Sequence, residues 1–436
     1  GAMETLKIPN YIPRIADKTI AENMEAFGAV VIEGPKWCGK TSTAKNHAVS
    51  EISMADPLGD FQNRRLAELE PAIALEGVRP RLIDEWQDVP KLWDAVRFEC
   101  DRATEKGQFV LTGSSTPRRK QNPHADRPRH SGAGRIVRVP MSTMTQYELG
   151  QSNGKVSLRG LFEGERYASV SQLSLERIAE LVVAGGWPDA IGSPTAKAVR
   201  IAKGYLQAVI NEDIHEVDGV ERDREKVRRL IVSLARNEAT LATGKTILKD
   251  TQGRTEDAAA ITAPTMNDYL DALRRIYFVQ DIPAWAPELR SSAKIRSAAK
   301  RHLADPSLAA AALGATAAKL MGDLKTLGFL FESLVAHDLI VYAEAMGASV
   351  YHYHDAADLE ADLVIEHPDG TWIPVEVKLG AAQVDDAAKN LVTLKEKMMR
   401  GGYQAPVAML AVIGVGGVAT CREDGVQVAP LDTLGV

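Results

Sequence analysis

Short apolar runs alternate with segments of helical periodicity over the first third of the chain. The runs are Ala29–Glu33, Arg81–Asp84 and Phe109–Thr112, and a helix is predicted over Thr41–Val49. Because an uninterrupted apolar run is typical of a strand covered on both faces, the pattern predicts a parallel α/β sheet.

The rest of the chain changes character twice. Residues from about 170 to 310 are mainly helical by period, with many Ala, Leu and Arg. Beyond residue 330 a helix opening at Phe329 precedes four apolar runs, and Pro368-Asp369-Gly370 marks a hairpin turn. The strands are predicted over Val350–Tyr353, Asp362–Glu366, Trp372–Lys378 and Val407–Ile413. We therefore expect a multidomain α/β protein with a helical middle.

Composition narrows the class of protein. The 436 residues suggest about three domains, and 45% hydrophobic with 25% charged residues is ordinary for a soluble globular chain. No uncharged apolar run reaches membrane-spanning length, so we predict a cytoplasmic protein without a membrane partner. The widely spaced Cys38, Cys100 and Cys421 favour a reducing compartment and argue against a zinc site built on paired cysteines.

The net charge of −6 hides an uneven distribution. Ser114–Pro140 carries seven basic residues against one acidic residue, and Ala286–His302 carries five against one. We call these segments the first and second basic islands. From Leu330 onward, 16 acidic residues face six basic ones. We therefore predict that any DNA contact lies on the first two thirds of the chain and depends on salt.

A phosphate-binding motif follows the first predicted strand. Its pattern, G-x-x-x-x-G-K-[ST], is satisfied by Gly34-Pro35-Lys36-Trp37-Cys38-Gly39-Lys40-Thr41. Glycines let backbone N–H groups turn toward phosphate oxygens, and the N-terminus of the next helix adds partial positive charge. We expect Lys40 to reach the β- and γ-phosphates of ATP and Thr41 to ligate Mg²⁺, with Ser42 completing the nucleotide-binding residues.

Two adjacent carboxylates end the next strand. Asp84 is predicted to hold Mg²⁺ through water, and Glu85 to polarise the attacking water. Because a water nucleophile needs its own base, a glutamate here favours ATP hydrolysis over phosphoryl transfer to another substrate. A small-molecule kinase is correspondingly disfavoured.

Hydroxyl and guanidinium groups complete the predicted ATP site. Thr112, at the end of the third strand, is the first choice for a γ-phosphate sensor and Ser114 the second, the alternative being a Ser/Thr-rich turn. Arg135 is predicted to stabilise transition-state charge, in cis or across an interface between subunits of a homo-oligomer. The competitors for this role are Arg127, Arg129 and Arg138.

The order of these motifs resembles that of prokaryotic AAA-type ATPases with a C-terminal domain of unknown function, the AAA_14/DUF4143 family. The resemblance rests on Tyr11–Arg14, Glu33–Thr41, Leu82–Trp86, Leu111–Ser115 and Gly185–Pro188. It implies a P-loop (AAA+/ASCE) domain, a winged-helix-like segment and a nuclease-like fold. The implied division is 4–150 for the ATPase domain, 151–215 for a helical lid or linker, 216–305 for the winged-helix-like domain and 306–436 for the nuclease-like domain.

The middle segment offers a helix–turn–helix-like run. Helices are predicted around Lys226–Arg236 and over Thr265–Ile276, with Pro264 in a first-turn position, and Tyr277-Phe278-Val279 is predicted to lead into a wing. In a DNA-binding version Thr265 and Asn267 would face the major groove. Asp268 and Asp271 on the same helix would repel phosphates, so a solvated scaffold remains the alternative reading.

The C-terminal region carries a set of residues typical of the PD-(D/E)xK nuclease superfamily. Glu332 falls within an apolar helical stripe, where a carboxylate needs compensation by a metal or a lysine. Asp362 precedes a hairpin whose second strand places Glu376 and Lys378 on one face. The resemblance implies Mg²⁺ on Asp362 and Glu376, with Lys378 activating a water for phosphodiester cleavage. Inert binding scaffolds share this fold.

Two functions from different classes follow. The first is a Mg²⁺-dependent ATPase that couples ATP hydrolysis to DNA binding or processing. The second is a nucleotide-dependent switch or assembly protein whose nuclease-like domain is inert and binds a partner. DNA-stimulated ATP hydrolysis distinguishes the first from the second.

Overall fold

A computed structural model describes residues 1–117, 134–252, 259–287 and 298–436. The chain forms two compact units, each assembled from separate stretches of sequence. Unit 1 comprises Gly1–Thr143, Glu212–Glu221 and Asp271–Phe278. Unit 2 comprises Met144–Asn211, Arg222–Leu270 and Val279–Val436. Each unit is therefore completed only when stretches from later in the sequence join its first stretch.

Unit 1 is built on a five-stranded parallel sheet with the order β2-β3-β4-β1-β5. Its strands are β1 Ala29–Glu33, β2 Ser50–Ser53, β3 Arg81–Asp84, β4 Phe109–Gly113 and β5 Ile136–Pro140. Its helices are α1 Ile15–Ala26, α2 Lys40–Lys45, α3 Leu58–Leu69, α4 Ala72–Leu75 and α5 Leu92–Arg102. Because β4 lies between β1 and β3, the residues that follow all three strands meet at one edge.

Alternate residues of β1 pack into different cores. Val31 belongs to a cluster with Trp86 and Trp93 on one face of the sheet, whereas Val30 and Ile32 belong to a cluster on the other face. Burial on both faces explains why the strand reads as a continuous apolar run. The predicted parallel α/β sheet is confirmed.

Unit 2 contains most of the helices. Those before the second basic island are α6 Leu158–Phe162, α7 Leu175–Ala184, α8 Thr195–Ala208, α10 Arg224–Arg236, α11 Gly244–Thr251 and α12 Ala263–Arg275. A π-helical turn over Val209–Asp213 and the short α9 Ile214–Glu216 lead into the Glu212–Glu221 stretch of unit 1. The last turn of α12 likewise belongs to unit 1.

The C-terminal part of unit 2 carries a mixed six-stranded sheet. The remaining helices are α13 Pro306–Leu313, α14 Ala317–Met321, α15 Leu324–Glu344 and α16 Val384–Arg400. The strands are β6 Val156–Ser157, β7 Val279–Ile282, β8 Lys300–Leu303, β9 Ser349–His354, β10 Glu360–Glu366, β11 Trp372–Gly380, β12 Met409–Val415, β13 Thr420–Cys421, β14 Val426–Pro430 and β15 Leu434–Gly435. The sheet order is β13-β14-β12-β11-β10-β9, and β7 pairs antiparallel with β8.

Some predicted boundaries are wrong. The helix after the phosphate loop ends at Lys45 rather than Val49. The helix predicted to open at Phe329 begins five residues earlier, at Leu324, where the Asp323 side chain accepts a hydrogen bond from the Thr326 N–H. Tyr277 and Phe278 are not in a strand, because Tyr277 adopts a left-handed turn conformation with φ of 60°. The hairpin around Asp369-Gly370 is confirmed by the antiparallel pairing of β10 with β11.

Helix α15 is long and apolar enough to cross a membrane by length and composition alone. Two thirds (67%) of its most apolar window is buried inside the structure. It packs as a core helix, with Leu330, Phe331, Val335 and Leu339 at most 1% exposed. Such burial is compatible with a soluble protein.

Candidate functional site

The phosphate loop leaves the carboxyl end of β1 and can be formed only by small residues at its start. A Cβ atom at Gly34 would lie 2.0 Å from the Met141 carbonyl oxygen, closer than any side chain tolerates. Gly39 has a φ of 102°, a left-handed conformation that favours glycine, and it caps α2. The two glycines of the motif therefore have separate steric reasons to be glycine.

The side chains of the loop are arranged for an oxygen-rich cation site. Lys40 is buried, and its Nζ donates to the Pro35 carbonyl oxygen at 2.7 Å. The Thr41 hydroxyl donates to Asp84 Oδ1 at 2.8 Å. Hydroxyl and carboxylate oxygens side by side suit Mg²⁺, so Thr41 and Asp84 fit the predicted ion.

Asp84 is the centre of a hydroxyl network. Besides Thr41, it accepts from the Thr112 hydroxyl at 2.7 Å and from the Ser53 hydroxyl at 2.9 Å. Thr112 also accepts the backbone N–H of Glu85 at 3.0 Å. The residue predicted as a γ-phosphate sensor thus lies directly on the predicted metal carboxylate. Ser53 was not predicted, since nothing in its local sequence distinguishes it.

Glu85 adopts a backbone conformation that a glutamate rarely takes. Its φ of 55° and ψ of 51° lie in the left-handed region, which costs free energy unless the surroundings enforce it. The Ser114 hydroxyl donates to Glu85 Oε2 at 2.6 Å, and Gln87 Nε2 also donates to this carboxylate. Strain of this kind clusters at functional sites, and here it presents the carboxylate beside the hydroxyl of Ser114.

The candidate arginines occupy different places. Arg135 precedes β5, whose Ile136 pairs with Ala29 at the amino end of β1, so Arg135 lies at the opposite edge of the sheet from the loop. Its guanidinium pairs with Asp101. Arg138 pairs with Glu33 and lies over the Trp93 ring, 4.6 Å from the ring centroid. The other basic residues of the first island, Arg118, Arg119, Lys120, Arg127 and Arg129, lie outside the described residues.

An arginine that the sequence did not reveal braces the loop. Arg14 is buried, and its two terminal nitrogens donate to the Cys38 carbonyl at 2.6 Å and the Ser142 carbonyl at 2.7 Å. Tyr11 donates to Asp17 at 2.6 Å and contacts the Thr43 hydroxyl at 2.9 Å. The segment before α1 therefore supports both the loop and α2. Only its place in the family resemblance pointed to it.

Lys36 extends from the loop to the returning segment of unit 1. Its Nζ lies 2.7 Å from Oδ1 of the buried Asp213. Burial disfavours the Lys36 ammonium, but the hydrogen bond and charge of Asp213 outweigh it and raise the Lys36 pKa. Lys36 therefore keeps its positive charge at neutral pH.

The residues that follow β4 also contact the stretch Asp271–Phe278, which joins unit 1 later in the sequence. The Thr116 N–H donates to the Arg275 carbonyl at 2.8 Å, and the Thr116 hydroxyl lies 2.8 Å from the Tyr277 hydroxyl. Tyr277 in turn donates to Glu33, the last residue of β1. Burial and the Glu33 carboxylate raise the pKa of Tyr277. One tyrosine thus joins β1, β4 and the end of α12.

The residues considered for a DNA-reading helix differ in exposure. Asn267 on α12 is exposed, whereas Thr265 is half-buried and accepts from the Thr262 hydroxyl at 2.9 Å. Asp268 lies 3.1 Å from Arg222, and Asp271 lies 3.0 Å from Arg275. Both carboxylates expected to repel phosphates are therefore paired with arginines, although Arg275 is shared with Asp218.

The described end of the second basic island faces inward. Lys300 is buried, and Arg301 Nη1 donates to the Ala242 carbonyl at 2.7 Å. Both residues are therefore engaged by the protein itself, and contact of the second basic island with DNA stays a prediction. The remaining basic residues of the island, Arg290, Lys294 and Arg296, lie outside the described residues.

The predicted nuclease-like residues come together on the C-terminal sheet. Burial raises the pKa of the Glu332 carboxyl and of the Glu376 carboxyl well above the ordinary glutamate range. The charge of the neighbouring Asp362 adds to both shifts. Lys378 Nζ lies 3.9 Å from Glu376 Oε2. We call Glu332, Asp362 and Glu376 the carboxylate cluster.

A fourth residue, absent from the prediction, enters this cluster. Lys300 Nζ lies 3.6 Å from Glu332 Oε2, 3.8 Å from Asp362 Oδ1 and 3.3 Å from the Asp362 carbonyl oxygen. Burial disfavours its ammonium, but Glu332 and Asp362 raise its pKa overall. Within the described part of the chain, no three His, Cys, Asp or Glu side chains are arranged to hold a metal ion. The cluster as built does not fit a divalent cation.

A cleft of about 980 Å³ opens beside the carboxylate cluster. Glu332 and Lys378 line it together with apolar Leu324 and Phe329 of α15. Residues 380–383, which lead into the N-terminus of α16, form another wall. The acidic region thus presents two lysines, Lys325 and Lys378, in a largely apolar groove that Glu332 also lines.

Comparison with known proteins assigns families to three parts of the chain. Residues 26–150 match the family model of an AAA domain, a stretch that contains the loop, Asp84, Glu85 and Thr112. Residues 175–319 and 327–434 match two domains of unknown function, DUF8612 and DUF4143. The first match makes the N-terminal region a P-loop ATPase domain, and the third confirms the DUF4143 resemblance. Neither domain of unknown function carries an activity with it.

Individual relatives are distant. Uncharacterized proteins of Mycobacterium tuberculosis (Rv2008c) and Mycobacterium bovis (Mb2031c) are each 25% identical over 341 residues, 77% of this chain and 67% of theirs. A Walker-type ATPase of Pyrococcus abyssi has a TM-score of 0.40 at 13% identity, covering 72% of this chain and 99% of that one. The replication initiator DnaA bound to AMPPCP and single-stranded DNA has a TM-score of 0.28 at 15% identity, covering 62% and 91%.

Proposed function

We propose that the protein binds ATP with Mg²⁺ and hydrolyses it at the edge of the unit 1 sheet. The observation that carries this proposal is the 2.8 Å contact between Thr41 and Asp84, which joins the phosphate loop to the end of β3. Glu85, the next residue, stands in a strained conformation beside Ser114. Loop, cation ligands and base therefore share one small volume.

Each residue has a separate task in this proposal. Lys40 leaves the Pro35 carbonyl and binds the β- and γ-phosphates, together with the N–H groups that begin α2. Thr41 and Asp84 hold Mg²⁺, which neutralises phosphate charge when bound. Glu85 orients the attacking water and accepts its proton, and Ser114 and Thr112 fix the two carboxylates relative to each other.

Arg135 was predicted to stabilise transition-state charge either within its own subunit or across a subunit interface. Only the second possibility fits its position. Its position at the far edge of the sheet supports a contribution to the site of a neighbouring subunit rather than to its own. We therefore propose a homo-oligomer in which ATP binds between subunits.

Removal of the loop lysine tests nucleotide binding. We expect Lys40→Ala to abolish binding of a fluorescent ATP analogue, because no other buried cation of the described loop replaces it. Lys45→Ala is the matched control, since Lys45 ends the same helix but pairs with Glu51 outside the site. Equal binding by Lys40→Ala and the unaltered protein would refute the proposal.

We further propose that ATP hydrolysis is coupled to DNA through the middle helices, residues 216–305. The exposed Asn267 and the pairing of Asp268 and Asp271 with arginines support α12 as the element that meets DNA. The test is the ATPase rate with added single- and double-stranded DNA at several salt concentrations. A rate that does not respond to either DNA at low salt would exclude this coupling.

One observation favours the second candidate function, a nucleotide-dependent switch with an inert C-terminal domain. Lys300 compensates the carboxylate cluster from within the protein. In that case residues 306–436 bind a partner, and ATP sets the conformation. Slow turnover that DNA does not change, combined with tight ATP binding, would identify the switch.

A further inference from the structure

We propose that Lys300 is the resident cation of the carboxylate cluster, so that this nuclease-like centre holds no divalent metal and cleaves no phosphodiester. The proposal is independent of ATP hydrolysis in unit 1. It concerns residues of unit 2 alone.

The position of the ammonium group carries the inference. Lys300 Nζ stands between the carboxylates of Glu332 and Asp362 and also donates to the Asp362 carbonyl oxygen at 3.3 Å. A Mg²⁺ ion bound by these carboxylates would need oxygen ligands at about 2.1 Å. An ammonium group at this point excludes the ion by both volume and charge.

Two carboxylate oxygens of the cluster accept hydrogen bonds from protein donors. Asp362 Oδ2 accepts the Val377 N–H at 2.8 Å. Glu376 Oε1 accepts from Asn390 Nδ2, also at 2.8 Å. Glu332 Oε2 has no hydrogen-bond partner among the described residues, and Lys300 is its cation. Protein donors thus occupy Asp362 Oδ2 and Glu376 Oε1, and the ammonium group of Lys300 compensates Glu332 Oε2 and Asp362 Oδ1.

Lys300 is held in place by the strand that carries it. It pairs with Ile282 in the two-stranded sheet of β7 and β8. Its neighbour Arg301 donates to the Ala242 carbonyl, and His302 contacts the Ser333 hydroxyl at 3.0 Å and Glu238 at 3.5 Å. These contacts fix the backbone of Lys300 beside the carboxylate cluster.

The chemical consequence follows from the role of the metal in such centres. Phosphodiester hydrolysis there depends on a Lewis acid that polarises the phosphate and lowers the pKa of the attacking water. An ammonium group offers charge but no open coordination position. The cleft beside Lys378 is left as a binding surface.

Mn²⁺ binding to the full-length protein, followed by electron paramagnetic resonance without nucleotide, tests the proposal. An Asp84→Asn background removes the metal ligand of unit 1. We expect adding Asp362→Asn to leave Mn²⁺ binding unchanged, because the cluster binds none. Mn²⁺ bound in the background protein and lost in Asp362→Asn would overturn the proposal.

A second comparison asks whether Lys300 is the cause. In the same background Lys300→Met keeps the length of the side chain but removes its charge, so we expect a gain of at least tenfold in Mn²⁺ affinity that Asp362→Asn abolishes. Lys300→Arg is the matched control and should show no gain. A folded Lys300→Met protein without the gain, judged by circular dichroism, would refute the role of Lys300.

Discussion

Lys36 Nζ, in the phosphate loop, lies 2.7 Å from Asp213 Oδ1, although 177 residues separate them in the sequence. The contact links the loop to Asp213, the last of the π-helical residues Val209–Asp213. It places a neutralised lysine where a polyphosphate is proposed to bind. The state of this pair should therefore influence ATP affinity.

Removal of the Asp213 charge should strengthen ATP binding. Asp213→Asn leaves Lys36 with an unbalanced positive charge, worth about 1 kcal/mol toward a nearby anion, or roughly fivefold in affinity. Asp218→Asn is the control, since Asp218 pairs with Arg275 rather than with the loop. Isothermal titration with a non-hydrolysable ATP analogue measures the effect. A weaker affinity in Asp213→Asn than in the control would contradict the proposed position of the phosphates.

Glu85→Gln should separate ATP binding from hydrolysis. The amide keeps the size of the side chain but cannot accept a proton, so turnover should fall by about 10²–10⁴-fold while ATP still binds. Steady-state phosphate release and analogue binding measure the two steps. Glu51→Gln, on the exposed β2, is the matched control and should hydrolyse ATP normally. Retained turnover in Glu85→Gln would assign the base elsewhere.

Tyr277→Phe should uncouple DNA from hydrolysis if the two are coupled through α12. The substitution removes the hydroxyl that contacts both Thr116 and Glu33 but keeps the ring. We expect basal ATP hydrolysis to persist and stimulation by DNA to fall severalfold.

Tyr269, on α12 itself, provides the comparison for Tyr277→Phe. Tyr269 accepts the Asp223 N–H at 3.1 Å and lacks contact with the ATP site strands among its described hydrogen bonds. Tyr269→Phe should therefore retain DNA stimulation. Equal stimulation of ATP hydrolysis by DNA in both variants would show that the Tyr277 hydroxyl has no part in the coupling.

Glu344 should make the stability of the protein fall as the pH rises. Burial at the end of α15 raises the pKa of this carboxyl to about 8, from an ordinary value of 4.5. Between these values the folded protein keeps the proton while the unfolded chain has lost it. Unfolding is therefore favoured progressively with pH, by up to about 1.4 kcal/mol per pH unit.

Glu344→Gln removes this titration and should flatten the dependence between pH 5 and 8. Urea midpoints followed by circular dichroism measure it across that range. Glu22→Gln is the control, because Glu22 is 64% exposed on α1 and should leave the slope unchanged. A slope that survives in Glu344→Gln would assign the pH dependence to another group.

The features predicted from the sequence are those that depend on residues close together in the chain. The loop Gly34–Thr41 and the strand ending in Asp84 and Glu85 follow directly from motif and apolar runs, and the AAA domain match covers both. The apolar stripe around Glu332 also led correctly to the expectation of a compensating group. The prediction left a metal and a lysine open, and the structure brings Lys300 to it.

Long-range partners were beyond the reach of the sequence. Lys300 belongs to a run of basic residues, a pattern typical of a solvated surface. Only the pairing of β8 with β7 directs its side chain into the protein. Arg14, Asp213 and Tyr277 likewise carry no periodic signal. Their roles arise from chain segments that meet only in the folded units, where burial and hydrogen bonding select them.

The discontinuous course of unit 1 has a consequence for synthesis on the ribosome. Lys36 emerges 177 residues before Asp213, a delay of about 9–35 s at ordinary elongation rates. Tyr277, which joins the ends of β1 and β4, emerges later still. A nascent chain can thus form the parallel sheet early, yet its nucleotide loop stays without these partners until the middle helices have been translated. Fragments cut at residue 150 would preserve that unfinished state.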